Sequence, residues 1–309
     1  MKTFVKMKGM DKETWLMYRR KGVCGSEASV VLGVNPYRSI LQLWRDKTGR
    51  CEAEETQNEY AYWGNVMEPI VKKEFMRRTG LKVRAKNEIL QSDEHEFMLA
   101  DVDGIVKEAD GSYSLFEAKT ASEYKKSVWE KGIPEEYMAQ VQHYLCVTGF
   151  AKAYVCGLIG GNTYICHEVY RDEAYIAELV EKERAFWECV RKDIPPKADG
   201  SKSTEEFLSQ QYPKSQKTSM ELPKEAQKLV DSYLWAEEKI KELTKKKNEA
   251  GNQLKELLKE HEKGYLGSHV IRWSTVEKRS LDSDKVKAFL GSSYDQYLSS
   301  SSYRKFSVA

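Results

Sequence analysis

Leu99-Ala100-Asp101-Val102-Asp103-Gly104-Ile105-Val106, followed after a polar turn by Leu115-Phe116-Glu117-Ala118-Lys119, is the stretch on which the fold turns. Apolar residues at Ile105 and Val106 and at Leu115 and Phe116 flank Asp110-Gly111-Ser112, so the segment reads as an acidic strand, a turn and a second strand carrying Glu-x-Lys. Side chains alternate along a strand, which points Glu117 and Lys119 to one face. With Asp103 opposite on the neighbouring strand, two carboxylates and an ammonium would converge. A hard divalent cation such as Mg²⁺ takes a few carboxylate oxygens and keeps positions open for water and phosphate, and a lysine beside it can orient that water and help deprotonate it. That is phosphodiester-cleaving chemistry. Asp-Gly at a strand end and Glu-x-Lys on a half-exposed strand also occur on solvated sheet faces, so spacing alone leaves both readings open.

The wider pattern narrows the choice. Ala100-x-x-Asp103-Gly104, with Glu117-x-Lys119 after thirteen residues between the two acids, resembles the PD-(D/E)xK nuclease superfamily. Flanking segments resemble its lambda exonuclease and YqaJ branch of viral recombinases. Trp15-Leu16-Met17-Tyr18-Arg19 with Gly25-Glu27 around Ser26, continuing to Leu32-Gly33-Val34-Asn35-Pro36-Tyr37, is similar to that branch's W-x-x-x-R, G-x-S and L-G-x-N-P-Y signature. Gly64-Asn65-Val66-Met67-Glu68, at an expected helix start, matches its G-x-x-x-E, and Gln140-Val141-Gln142 resembles the Q-x-Q helix after the E-x-K strand. These elements span about residues 10 to 190 in the family's order, and their combination is far more specific than any one of them.

The resemblance implies roles. Asp103 and Glu117 would bind metal, the Ala118 carbonyl would add a third oxygen, Lys119 would position the attacking water, and Glu68 would complete the acidic cluster. The cofactor would be Mg²⁺, as two ions, with Mn²⁺ as a substitute. Gln140 and Gln142 lie two apart on a helix and do not share a face, so one of them reaches the site, and Gln142 is favoured. Arg19 matches the family arginine that grips a 5′ phosphate with a bidentate fork, and Ser26 beside an expected helix N-terminus suits a phosphate as well. The sequence departs from the family before the aspartate, where Asp101 and Val102 stand. Asp101 and Asp103 would share a strand face, so spacing does not settle which binds metal, although Gly104 favours Asp103.

Simpler roles stand beside these. Trp15 and Trp63 suit packing, Arg19 within Arg19-Arg20-Lys21 suits a helix surface, Glu68 would complement a helix dipole, and His143 fits the edge of a core.

The charge of +2, from 50 Lys and Arg against 48 Asp and Glu, excludes wrapping DNA by bulk charge and makes any positive surface local. No apolar run approaches ~18 residues and the N-terminus lacks a hydrophobic signal core, which implies a cytoplasmic protein without a membrane span. Six cysteines, at 24, 51, 146, 156, 166 and 189, form no C-x-x-C pair or zinc spacing, which separates the chain from iron–sulfur relatives and implies free thiols rather than a disulfide framework.

The expected fold class is α/β (α+β): a central mixed sheet flanked by helices, restriction-endonuclease-like, with a C-terminal long helix and β-hairpin appendage. Helices are expected at 13–20, 25–32, around Leu41 and Trp44, at 65–79 capped by Gly80, through Gln140, and at 173–191. Strands are expected at 153–159 and 163–170 around Gly160-Gly161-Asn162. A charged loop at 49–58 precedes the 65–79 helix. Residues 1–196 would form the nuclease domain, 197–222 an irregular linker and 223–309 the appendage. There Leu229, Tyr233, Ala236, Ile240, Leu243, Lys247, Ala250, Leu254 and Leu257 alternate in steps of four and three, a heptad seam suited to a local amphipathic helix or a coiled coil. Strands at 265–273 and 276–281, a helix at 284–290 and a final strand at 303–308 complete it.

The function implied is a 5′-to-3′ exonuclease on double-stranded DNA ends, leaving 3′ overhangs for phage-type recombination. The family further implies a homo-oligomeric ring, commonly a trimer, and a single-strand annealing protein as partner. An endonuclease of the same superfamily, or a non-catalytic DNA-binding protein on this fold, would lack the end-binding arginine pocket or the full Asp103, Glu117 and Lys119 set.

Overall fold

The computed structural model describes residues 1–50, 59–299 and 301–308. It divides into two compact units, Met1–Gln211 and Tyr212–Ala309.

The first unit is built on two sheets. Strands β1 (Lys2–Lys6), β2 (Val23–Cys24), β4 (Glu88–Gln91) and β5 (Met98–Ala100) make one, in the order β1-β4-β5-β2. Strands β3 (Val83–Arg84), β6 (Gly104–Lys107), β7 (Tyr113–Ala121), β8 (Lys152–Ile159) and β9 (Thr163–Tyr170) make the other, in chain order. The larger sheet is mixed: β7 and β8 run parallel, and the other neighbours run antiparallel. A parallel pair needs a long crossover, supplied here by α5 (Lys126–Lys131) and α6 (Glu135–Thr148). Helix α6 lays Val141, Tyr144 and Leu145 against Leu115, Val155 and Trp129, while α4 (Glu59–Thr79) lays Val71 and Phe75 against Val106, Phe116 and Tyr154. Strand β7 is therefore buried on both faces over Ser114–Glu117. Helices α1 (Lys12–Arg19), α2 (Gly25–Val31), α3 (Ile40–Lys47), α7 (Glu173–Arg191) and α8 (Lys202–Gln211) complete the unit. Among them Val30, Leu43, Trp44 and Phe186 form a further core.

The expected fold class holds, with local corrections. Leu99 to Val106 is not one acidic strand. Strand β5 ends at Ala100 in one sheet and β6 begins at Gly104 in the other, so Asp101-Val102-Asp103 is the passage between sheets. Strand alternation therefore does not place Asp101 and Asp103 on a common face. Helix α4 begins at Glu59, which sets Glu68 in mid-helix before Pro69 rather than at the positive end of a dipole. The expected 49–58 loop falls largely on residues 51–58, outside the described residues.

Within the expected linker, residues 202–211 form α8, where Arg45 stacks over Phe207. Cys156 and Cys166, expected as free thiols, are directly opposed across the β8–β9 ladder and joined as a disulfide. Their symmetric placement about the Gly160-Gly161-Asn162 turn brings them together, a relation that motif spacing does not reveal. Cys24, Cys146 and Cys189 are free, and Cys51 lies outside the described residues. No described helix is long and apolar enough to cross a membrane.

The second unit carries α9 (Gln227–Leu258), about 48 Å long at 1.5 Å per residue. Of the heptad residues, Leu229, Ile240, Leu243 and Leu257 are exposed, and Tyr233 meets Phe306 edge to face. The expected strand at 265–273 is instead a hairpin, β10 (Lys263–Leu266) and β11 (His269–Arg272), because Gly267 takes a left-handed φ of 57°. Residues 276–281 and 303–308 are not strands, and among the described residues no strand pairs with them. Helix α10 (Ser283–Leu290) forms as expected.

Candidate active site

A cavity of about 390 Å³ opens where α4 meets the end of β7, lined by Asn65, Glu68, Asp103, Glu117, Lys119 and Tyr137 among others. Strand alternation does put Glu117 and Lys119 on one face: Lys119 Nζ donates to Glu117 Oε1 at 2.7 Å. Asp103 arrives from the passage between the sheets, and its Oδ2 accepts the Ala118 N–H at 2.8 Å. Gly104 permits this approach, since a Cβ there would lie 2.3 Å from Val83 Cγ1. Glu68 comes from α4, and Lys72 one turn on pairs with it at 3.1 Å while donating to the Asp103 carbonyl at 2.9 Å.

The glutamine expectation is reversed. Gln140 donates to Glu117 Oε1 at 2.7 Å and accepts from Lys119 at 2.9 Å. Gln142, about 200° around α6 at 100° per residue, donates to the Tyr170 carbonyl at 2.8 Å and accepts the Asp172 N–H at 3.0 Å. Gln142 thus ties α6 to the start of α7.

Burial and mutual repulsion set the electrostatics of the carboxylates in the cavity. Burial, then the Glu117 charge, pushes the Asp103 carboxyl well above its usual range, against the pull of Lys119. Burial also raises Glu117, with Glu68 and Asp101 adding repulsion. Lys119 keeps its proton because Glu117 and Asp103 outweigh the burial that opposes its charge. Glu117 Oε2 is buried without a hydrogen-bond partner among the described residues, an arrangement that costs roughly 1–3 kcal/mol unless something binds there. Among the described residues, no three His, Cys, Asp or Glu side chains are arranged to hold an ion by themselves. Two carboxylates, one of them with a free buried oxygen, instead suit a cation such as Mg²⁺, whose shell would be completed by water and substrate phosphate.

A second cluster adjoins the first. Arg19 donates to Ser26 Oγ at 2.7 Å and lies over the Trp15 ring at 4.5 Å. Trp15 is no mere packing residue, because its indole N–H donates to Asp101 Oδ2 at 2.9 Å. Asp101 therefore belongs with Arg19 and Asp103 with Glu117. The Tyr144 hydroxyl joins the clusters, donating to the Asp101 carbonyl at 2.8 Å and accepting from Gln140 at 3.1 Å. Gly25 is required here, since a Cβ would sit 2.2 Å from the Tyr144 ring. Trp63, expected in packing, is half exposed with its indole on Glu59. His143 is fully buried, bridging Glu183 at 2.8 Å and the Leu99 carbonyl at 2.9 Å.

Motif reading missed Lys72, Tyr137, Tyr144, Glu27 and Lys47. Tyr137 lies under Lys119, with Nζ 4.9 Å from the ring centroid. Lys72 follows Glu68 and Tyr144 follows Gln140 by four residues, so an (i, i+4) search from each motif residue would have found both.

Comparison with known proteins identifies the family and a similar fold. Residues 14–151 match the YqaJ-like viral recombinase domain. The protein YqaJ of Bacillus subtilis (strain 168), itself uncharacterized, is 37% identical over 304 residues, covering 97% of this chain and 94% of that one. The alkaline exonuclease LHK-Exo of Laribacter hongkongensis has a similar fold, seen alone and in complex with dAMP. It shows a TM-score of 0.50 at 21% identity, over 65% of this chain and 98% of that one. On the whole-length similarity to YqaJ and the domain match across both clusters, the chain belongs to the YqaJ-like viral recombinase family.

Proposed function

We propose that the protein is a divalent-metal-dependent exonuclease that digests double-stranded DNA from its 5′ ends and leaves 3′ single strands for recombination. The observation that carries the reading is the cluster of buried Glu117 with half-buried Asp103 and Lys119, one Glu117 oxygen having no hydrogen-bond partner among the described residues, beside an open cavity. Family membership supports a role in viral-type recombination, and the activity named for LHK-Exo is carried to this chain as part of the proposal.

Asp103 and Glu117, helped by the Ala118 carbonyl and by Glu68, would hold one or two Mg²⁺ ions, with Mn²⁺ as a substitute. The bound ion would activate water and stabilise the leaving 3′ oxygen. Glu117 and Gln140 fix Lys119 as a charged donor facing the cavity, fit to orient the attacking water and to face phosphate charge. Gln140 is a neutral brace: it bonds both the Glu117 and the Lys119 head without adding charge. Arg19 and Ser26 offer a guanidinium and a hydroxyl to a terminal phosphate, and that end pocket distinguishes an exonuclease from an endonuclease. The resemblance further proposes a homo-oligomeric ring, a single-strand annealing partner and a cytoplasmic setting.

The test uses linear duplexes labelled at the 5′ or 3′ end beside covalently closed circles, in Mg²⁺. Early release of the 5′ label with circles untouched supports the reading. Cutting of closed circles would make the protein an endonuclease, and early release of the 3′ label would reverse the polarity.

A further inference from the structure

Behind Arg19 lies a buried ion pair that no catalytic step uses. Lys47, the last residue of α3, has its side chain fully buried, with Nζ 2.6 Å from Glu27 Oε2 and 2.8 Å from the Arg19 carbonyl. Glu27 Oε2 also accepts the Cys24 N–H at 2.8 Å. Its second oxygen, Oε1, stands 3.9 Å from Arg19 Nη2, beyond hydrogen-bond reach. The same Nη2 donates to Ser26 Oγ instead.

A buried carboxylate beside an arginine ordinarily takes it in a bidentate grip. Here one oxygen is already occupied by an ammonium and a backbone amide, and Glu27 does not take the Arg19 fork, which reaches only the neutral Ser26 hydroxyl. We propose that Lys47 is a positioning residue: it restrains Glu27 and so leaves the Arg19 guanidinium available to a terminal phosphate of the DNA. The inference rests on Arg19 serving as the end-binding group. Without the Lys47 charge, Glu27 would be a buried anion whose nearest remaining cation is Arg19, and it would compete with the phosphate for the guanidinium. Lys47 also anchors the Arg19 backbone, so α1 and α3 hold the residue from two sides.

The experiment measures digestion rates on linear duplexes that differ only in a 5′ phosphate or a 5′ hydroxyl, for the wild type, Lys47→Met and Glu27→Gln/Lys47→Met. A guanidinium fork on phosphate contributes roughly tenfold or more to discrimination. Lys47→Met should therefore lower the phosphate-to-hydroxyl rate ratio about tenfold, and Glu27→Gln in the double variant, by removing the competing anion, should restore it. Lost stability alone would slow both substrates equally and leave the ratio unchanged. An unchanged ratio in Lys47→Met, or a double variant no better than the single, overturns the proposal. Should Lys47→Met fail to fold, the neutral double variant decides: a wild-type-like ratio supports restraint of Glu27, and a collapsed ratio overturns it. A wild type that does not distinguish the two ends sinks the end-binding reading and Lys47's role together, whereas an indifferent Lys47→Met sinks only the latter.

Discussion

Exchanging Gln140 for methionine keeps the length of the side chain and deletes its amide, and with it three hydrogen bonds, to Glu117, Lys119 and the Tyr144 hydroxyl. Two of the three involve an ion, each worth roughly 1.5–3 kcal/mol, so about 3–6 kcal/mol of restraint on the Glu117 and Lys119 heads is lost. A displacement on the order of 1 Å at a catalytic group costs about 100-fold in rate. Gln142→Met is the matched control, two residues away on the same helix. It loses one bond to the Tyr170 carbonyl and one from the Asp172 N–H, both neutral, and should cost about 2 kcal/mol of stability while leaving the folded enzyme active. The assay is nucleotide release from linear duplex DNA at saturating Mg²⁺, normalised to the folded fraction from denaturant unfolding. Equal loss of activity in the two variants, or full activity in Gln140→Met, would refute the assignment of Gln140 to the site and Gln142 to the scaffold.

Three further outcomes follow from the structure. Asp103 has a raised pKa in the fold, so the folded state holds its proton longer than the unfolded chain, and stability is lost as pH rises from about 3.8 through that raised value. Asp103→Asn should therefore stabilise the protein in EDTA at neutral pH, and a destabilised variant in urea unfolding would contradict the repulsion. Gly25→Ala drives a methyl into the Tyr144 ring and should cost about 1–3 kcal/mol, whereas the same change at Gly251, inside α9 with open space around it, should not destabilise; the two unfolding midpoints compare them directly. Burial opposes the charge on His143, yet the facing Glu183 raises its pKa. Its contribution is therefore complete below about 6.5 and fades as pH rises through the raised value. Glu183→Gln should abolish that alkaline decline in melting temperature, and its persistence would place the titration elsewhere.

Much of the first unit was legible because its strands and helices carry local signals. Gly160-Gly161-Asn162 set the β8–β9 hairpin and Gly80 closed α4. Glu117 and Lys119 followed from alternation alone. The break between Asp101 and Asp103 was not legible, because a change of sheet is decided by which distant strands offer partners: β4 for β5, and β3 for β6. Gln140 against Gln142 was equally hidden, since two residues on a helix differ only in rotation and α6 buries both. The C-terminal unit misled most. Residues 276–281 read as a strand although only Val276 and Leu281 are apolar, and among the described residues no strand pairs with them, which leaves their backbone groups to water.

The central claim is that Lys119, held by Glu117 and Gln140, serves hydrolysis at the Asp103 and Glu117 pocket. The most direct measurement compares Mg²⁺-dependent nucleotide release from 5′-phosphorylated linear duplex DNA by the wild type and by Lys119→Met, with matched folded fractions. The account predicts steady release by the wild type and a rate at least about 100-fold lower in the variant. Digestion by Lys119→Met at the wild-type rate would contradict it.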